Sequence, residues 1–220
     1  MDPALRPRIK ICCIASRAEA RLAIAAGASA LGLVGPMPSG PGVIPDEAIH
    51  AIALSTPPPI ATFLLTSEQS VDGIVAHHRR TRTTAIQLVD RLIRGTFADL
   101  RRELPGTKLV QVVHITGPES VEDAVALSRD VDALLLDSGR PDLPVKVLGG
   151  TGRRHDWQLS RRIREEVAIP VFLAGGLHAG IVREAIDQVG PFGLDVCSGV
   201  RSGGSLDPSL LHAFLKAAAR

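Results

Sequence analysis

Val171-Phe172-Leu173-Ala174-Gly175-Gly176-Leu177, continuing through residues 180–188, joins a strand pattern to a helix pattern. Four residues of β character run into a glycine pair, and beyond the turn the apolar residues recur at helical spacing. A strand that turns into a helix in this way belongs to a parallel sheet covered by helices. Working outward, the same unit recurs along the chain. β-rich runs fall at 9–14, 30–34, 60–65, 85–89, 109–115, 133–137, 171–174 and 194–197. Helix candidates fall between them at 16–26, 45–54, 67–79, 96–104, 118–128, 158–167, 180–188 and 208–219. The first helix carries its own punctuation, with Ser16 as cap, Glu19 three residues on and Gly27 as stop. Eight strands alternating with eight helices predict an α/β fold, a (β/α)8 TIM barrel, as one domain over residues 1–220. A doubly wound dinucleotide-binding sheet is disfavoured, because the turn after the first strand, Cys13-Ile14-Ala15-Ser16, has no glycine.

Composition narrows the function. The chain is 45% hydrophobic and 22% charged, and its 25 Lys and Arg against 23 Asp and Glu leave a net charge of only +2. The arginine pairs at 79–80, 101–102, 153–154 and 161–162 never merge into one basic run; they read as solvated helix faces, except 153–154, which lies inside a glycine-rich turn. Neither a nucleic-acid partner nor a membrane partner is expected. No apolar run reaches the roughly 18 residues of a membrane span, and the start has no leader pattern, so a cytoplasmic location is expected. Three cysteines, Cys12, Cys13 and Cys197, form neither a disulfide framework nor a spaced zinc site, and are expected as reduced thiols.

In a barrel of this kind the active site lies on the loops that leave the C-terminal ends of the strands. Three of those loops carry glycines: Gly149, Gly150, Thr151 and Gly152 after the sixth strand, Ala174, Gly175 and Gly176 after the seventh, and Ser198 and Gly199 after the eighth. Glycine lets main-chain N–H groups approach an anion closely, and this end of the fold commonly holds phosphate. Any one of these loops alone would pass as ordinary turn punctuation.

Two residues at strand ends point to proton transfer. Asp137 follows Leu134-Leu135-Leu136, where a carboxyl must find partners or face the mouth. Cys12 closes Lys10-Ile11-Cys12 at the first strand. A shielded carboxyl can hold a proton near neutral pH, and a thiol can act as a thiolate base. The bland alternatives are a loop-bracing carboxylate and a small buried hydrophobe. Cys13 and Cys197 read as packing residues, and His77-His78, beside Arg79-Arg80, as surface. His114 alternates with Val110 and Val112 and could face the barrel interior.

Lys10-Ile11-Cys12, Gly27-Ala28, Gln87-Leu88, Leu135-Leu136-Asp137, Gly149-Gly150-Thr151-Gly152, Asp156-Trp157, Ala174-Gly175-Gly176-Leu177 and Asp195 with Ser198-Gly199-Val200 together resemble the phosphoribosylanthranilate isomerase family of tryptophan biosynthesis. The resemblance implies a monomeric or homodimeric barrel without metal or organic cofactor. It implies an Amadori rearrangement of a small phosphoribosyl amine, with Asp137 as general acid, Cys12 as general base and the glycine loops on the 5′-phosphate. The departures cluster at the aglycone end. Pro41 stands where the family has an arginine for the anthranilate carboxylate, and Val89-Asp90 replaces histidine and glycine. Cys13 replaces a glycine, Arg201 a glutamate and Leu206 a lysine. An arginine at 91, 140, 153 or 154 could make good the loss at 41, and Asp90, if it faced the mouth, would repel a carboxylate.

Overall fold

Parallel strands with hydrophobic residues on both faces need cover inside and out, and the chain supplies both layers. A computed structural model describes residues 6–139 and 154–219. The strands β1 (Arg8–Ile11), β2 (Ala30–Val34), β3 (Ala61–Thr66), β4 (Ala85–Leu88), β5 (Lys108–His114), β6 (Ala133–Asp137), β7 (Val171–Leu173) and β8 (Gly193–Val196) close in sequence order into a parallel barrel. Helices α1 (Arg17–Ala26), α2 (Asp46–Ser55), α3 (Val71–Thr81), α4 (Phe97–Glu103), α5 (Glu119–Leu127), α6 (Trp157–Glu166), α7 (Val182–Val189) and α8 (Pro208–Ala218) form the outer ring. A short ribbon, β9 (Arg201–Ser202) with β10 (Ser205–Leu206), precedes α8. No helix among the described residues is long and apolar enough to cross a membrane.

Strand alternation divides the core in two. Outward residues such as Ile9, Ile11, Leu31, Leu64 and Leu134 pack against the helices, while Ala30, Phe63, Ala85, Val110, Ala133 and Phe172 fill the barrel. Large and small residues face one another inside: Phe172 sits edge-on to Phe63, and Gly193 leaves it room, since a Cβ there would come within 2.5 Å of the Phe172 ring. The paired ends of the barrel are β1 and β8, in register Ile11 to Val196.

Helix boundaries follow cap chemistry. Ser16 Oγ accepts from Glu19 N at 3.1 Å, and Gly27 ends α1 in the left-handed region at φ 108°. The third helix starts at Val71 rather than 67, because Ser70 is the residue that caps it. The first strand stops at Ile11, short of 14, because Cys13 takes φ 61° and leaves the extended conformation.

His77 and His78 correct the expectation of a surface pair. They lie on the inward stripe of α3 with Ile74 and Val75, and both are buried. Partners from distant elements make this possible: His77 bridges Thr66 Oγ1 (2.9 Å) and Asp46 Oδ1 (3.1 Å), and His78 Nε2 donates to the Thr83 carbonyl (2.8 Å). Arg79, Arg80, Arg101, Arg102, Arg161 and Arg162 are exposed, as expected of solvated faces. Burial lowers the pKa of both histidines, and that of His155 to about 4. Folded values below unfolded ones mean stability that is present above about pH 6.5 and lost as pH falls toward 4. Denaturant midpoints measured at a series of pH values should therefore drop across that window.

Candidate active site

Every residue expected at the mouth that is described lies on the face formed by the strand C-termini. Cys12 follows β1, Asp137 ends β6, Ala174, Gly175 and Gly176 follow β7, and Ser198 follows β8. All six line one cavity, together with Val34, Met37, Pro41, Leu65, Gln87 and Val89. Gly149, Gly150, Thr151 and Gly152 lie outside the described residues, as do Arg140 and Arg153.

Gly175 and Gly176 take φ 83° and 65°, consecutive left-handed conformations that glycine adopts without strain. Gly199 lies in the 3-10 turn Ser198–Val200 and backs directly onto the neighbouring loop, where a Cβ would stand 2.0 Å from the Leu177 carbonyl oxygen. That glycine sets the distance between the two loops rather than lining the cavity. Gly199→Ala must push them apart. A misplacement of about 1 Å can cost on the order of 100-fold in turnover, so the variant's kcat is expected to fall by about that factor, with its far-UV circular dichroism unchanged.

Asp137 is 9% exposed, and its Oδ1 accepts from the Ser138 N–H at 2.7 Å. Burial raises its pKa, against the lowering effects of that hydrogen bond, of His114 and of Lys10. His114 pairs in register with Asp137, and its Nε2 donates to the Val89 carbonyl at 3.1 Å. It flanks Asp137 instead of lining the cavity floor. Cys12 is 6% exposed, and Gly32 leaves room for it: a Cβ on Gly32 would lie 2.8 Å from Cys12 Sγ and 2.9 Å from Lys10 Nζ.

Lys10 was visible only as part of a motif, although its place between Ile9 and Ile11 signals an inward side chain. It is fully buried, 2.7 Å from Asp195 Oδ1 and 5.5 Å from the Phe63 ring centroid. Burial disfavours its ammonium, but Asp195 and then Cys12 outweigh that and hold its pKa above the ordinary value. Lys10→Met would strand the Asp195 carboxylate, 8% exposed, without its cation. Breaking such a pair costs about 3–5 kcal/mol, a loss that urea unfolding should show. Gln87 was likewise only a motif residue. It is buried on the cavity wall, and its Oε1 has no hydrogen-bond partner among the described residues.

The aglycone end differs from the sequence expectation in two respects. Asp90 accepts the Arg91 N–H on its Oδ1 at 2.8 Å and is not among the described residues that line this cavity. Arg91 pairs with Asp123, while Arg154 pairs with Glu184 at 2.9 Å and stacks on Trp157. Neither is among the described residues that line this cavity. Cys13 and Cys197, expected as packing residues, also line the cavity, with their sulfurs 2.8 Å apart. Closure of β1 beside β8 brings them together across 184 positions, which no local pattern could show.

Fold and cavity define the class: an enzyme of the (β/α)8 type, with a polar mouth at the strand C-termini. The chain belongs to the N-(5′-phosphoribosyl)anthranilate isomerase family, whose model matches residues 9–217. It is similar to N-(5′-phosphoribosyl)anthranilate isomerase 2 of Methanosarcina mazei, 35% identical over 88% of this chain and 85% of that one. It is 35% identical to the isomerase of Haloferax volcanii, over 96% and 92% of the two chains. Among solved structures, phosphoribosyl anthranilate isomerase from Thermotoga maritima matches with a TM-score of 0.80 at 27% identity, covering 97% of this chain and 98% of the other. Another, in complex with reduced 1-(o-carboxyphenylamino)-1-deoxyribulose 5-phosphate, matches with a TM-score of 0.77 at 25% identity, over 97% and 98% of the two chains.

Proposed function

We propose that the protein catalyses the Amadori rearrangement of an N-(5-phosphoribosyl) amine, by default N-(5′-phosphoribosyl)anthranilate, to the 1-deoxyribulose 5-phosphate product in tryptophan biosynthesis. The observation that carries this is one cavity lined by Cys12, Asp137, the Gly175-Gly176 turn and Ser198. The 5′-phosphate rests on the loops after β7 and β8. Asp137 gives its proton to the ribose ring oxygen, and the C1–O bond breaks as the nitrogen lone pair forms the C1–N double bond. Cys12, as thiolate, takes the C2 proton. The electron pair released forms the C1–C2 double bond of an enolamine, and C1 then gains a proton as the C2 ketone forms. Holding the phosphate far from the reacting carbons supplies orientation for both transfers. No cofactor or metal is part of this scheme. We place the enzyme in the cytoplasm, as monomer or homodimer, in keeping with its free cysteines.

Expression in a tryptophan auxotroph that lacks only this isomerase tests the proposal: growth without tryptophan supports it, and no growth despite soluble expression overturns the default substrate. A second reading keeps the chemistry and changes the aglycone. It is favoured by Val34, Met37, Pro41, Leu65 and Val89, an apolar wall on which the described lining residues place no arginine or lysine. Under that reading, phosphoribosyl amines without a carboxylate turn over faster than the anthranilate compound.

A further inference from the structure

Cys13 occupies a backbone conformation that glycine would fill without strain. Its φ of 61° is left-handed, which side-chain-bearing residues seldom adopt. Surrounding contacts enforce it. Arg201 donates to the Cys12 carbonyl (3.2 Å), to the Cys13 carbonyl and to Glu19 (3.1 Å), and the Ile14 N–H bonds the Gly32 carbonyl (3.0 Å). Strain held in this way by its surroundings points to a use for the side chain. The side chain goes to Cys197, with Sγ atoms 2.8 Å apart, and Cys197 opens onto the cavity. A disulfide requires about 2.05 Å, so the sulfurs need approach by less than about 1 Å. The residues sit on neighbouring strand ends, where the Cys12 N–H bonds the Val196 carbonyl at 2.8 Å.

We propose that Cys13 and Cys197 form a modification site, a dithiol at the mouth that a hydroperoxide converts reversibly to a disulfide. The Cys197 thiolate attacks the terminal peroxide oxygen, the O–O bond breaks, and the departing hydroxide, or alkoxide from an organic hydroperoxide, leaves as water or alcohol with a proton from solvent. The Cys13 sulfur then attacks the sulfenic sulfur of Cys197. The S–O bond breaks, and its hydroxide takes the Cys13 proton and leaves as water. Two thiols lose two electrons and the peroxide is reduced. Electrostatics favour Cys197 as the attacking group. Its pKa is lowered first by the hydrogen bond with Cys13 and, against burial, by Arg201, while Cys13 is raised by its hydrogen bonds with Cys12 and Cys197. Forming the bond draws the Cys13 sulfur away from Cys12 and from the Pro41 carbonyl, 3.7 Å away in the reduced protein.

The test treats the full-length protein with hydrogen peroxide, removes the oxidant with catalase, denatures and alkylates. The expected result is loss of two of the three alkylatable thiols and a peptide of residues 11–17 linked to residues 184–201 after trypsin. Fragmentation should place the bridge at Cys13, with Cys12 alkylated, and dithiothreitol should restore all three thiols. Cys197→Ser should keep both remaining thiols at the same dose. If that variant fails to fold, Cys13→Gly, which suits the left-handed backbone, serves as the control. The proposal is overturned if wild-type protein keeps three alkylatable thiols, if the bridge includes Cys12, or if Cys197→Ser also loses two. Thiol counts need no substrate, so absence of isomerase activity would leave this result standing.

Discussion

Asp137→Asn is expected to reduce turnover by roughly 100- to 10,000-fold, the usual worth of a positioned general acid, with little change in affinity for a phosphate-bearing inhibitor. Asparagine keeps the size of the side chain and an oxygen to accept the Ser138 N–H, but it has no acidic proton for the ring oxygen. The loss should fall on kcat, because the loops after β7 and β8, proposed to hold the phosphate, are untouched. Proton inventory adds a second signature. Burial raises the pKa of Asp137, so its acid form persists to higher pH than that of an exposed carboxyl. The sign follows: activity needs the protonated form and declines as pH rises through that pKa. The alkaline limb due to Asp137 should be missing from the residual activity of the variant. Steady-state kinetics across pH check both points, and an unchanged kcat would remove Asp137 from the chemistry.

Cys12→Ser is expected to cost a similar factor, roughly 100- to 10,000-fold in kcat. A serine hydroxyl is far less acidic than a thiol and supplies no anionic base near neutral pH. The substitution is small, and Gly32 leaves the position uncrowded, so the thermal midpoint should barely move. Cys13 cannot take over, because its left-handed backbone sends its sulfur toward Cys197 and Pro41. Single-turnover measurements separate loss of proton abstraction from slow product release. Turnover equal to that of wild type would assign the base elsewhere in the mouth.

Much of the fold could be read from the chain because each barrel unit repeats the same local grammar. Strand, turn and helix carry their own signals, as in Ser16 and Gly27 around α1. Asp137 stood out for a related reason: a carboxyl after three leucines has few places to go. The aglycone end was legible only as departures from a pattern, and the structure sharpens these into an apolar wall with Gln87 set in it. What escaped depended on partners far away in sequence. His77 looked solvent-facing beside two arginines, yet Thr66 and Asp46 satisfy it inside. Lys10 needs Asp195, 185 positions on, to be buried at all. Cys13 and Cys197 are neighbours only because β8 closes onto β1.

The most direct measurement follows the fluorescence of freshly prepared N-(5′-phosphoribosyl)anthranilate mixed with purified wild-type protein, with Cys12→Ser and Asp137→Asn as parallel samples. A rapid enzyme-dependent decay in the wild type, near background in both variants, is the predicted result. A flat trace in the wild type, or equal decay in all three, would contradict it.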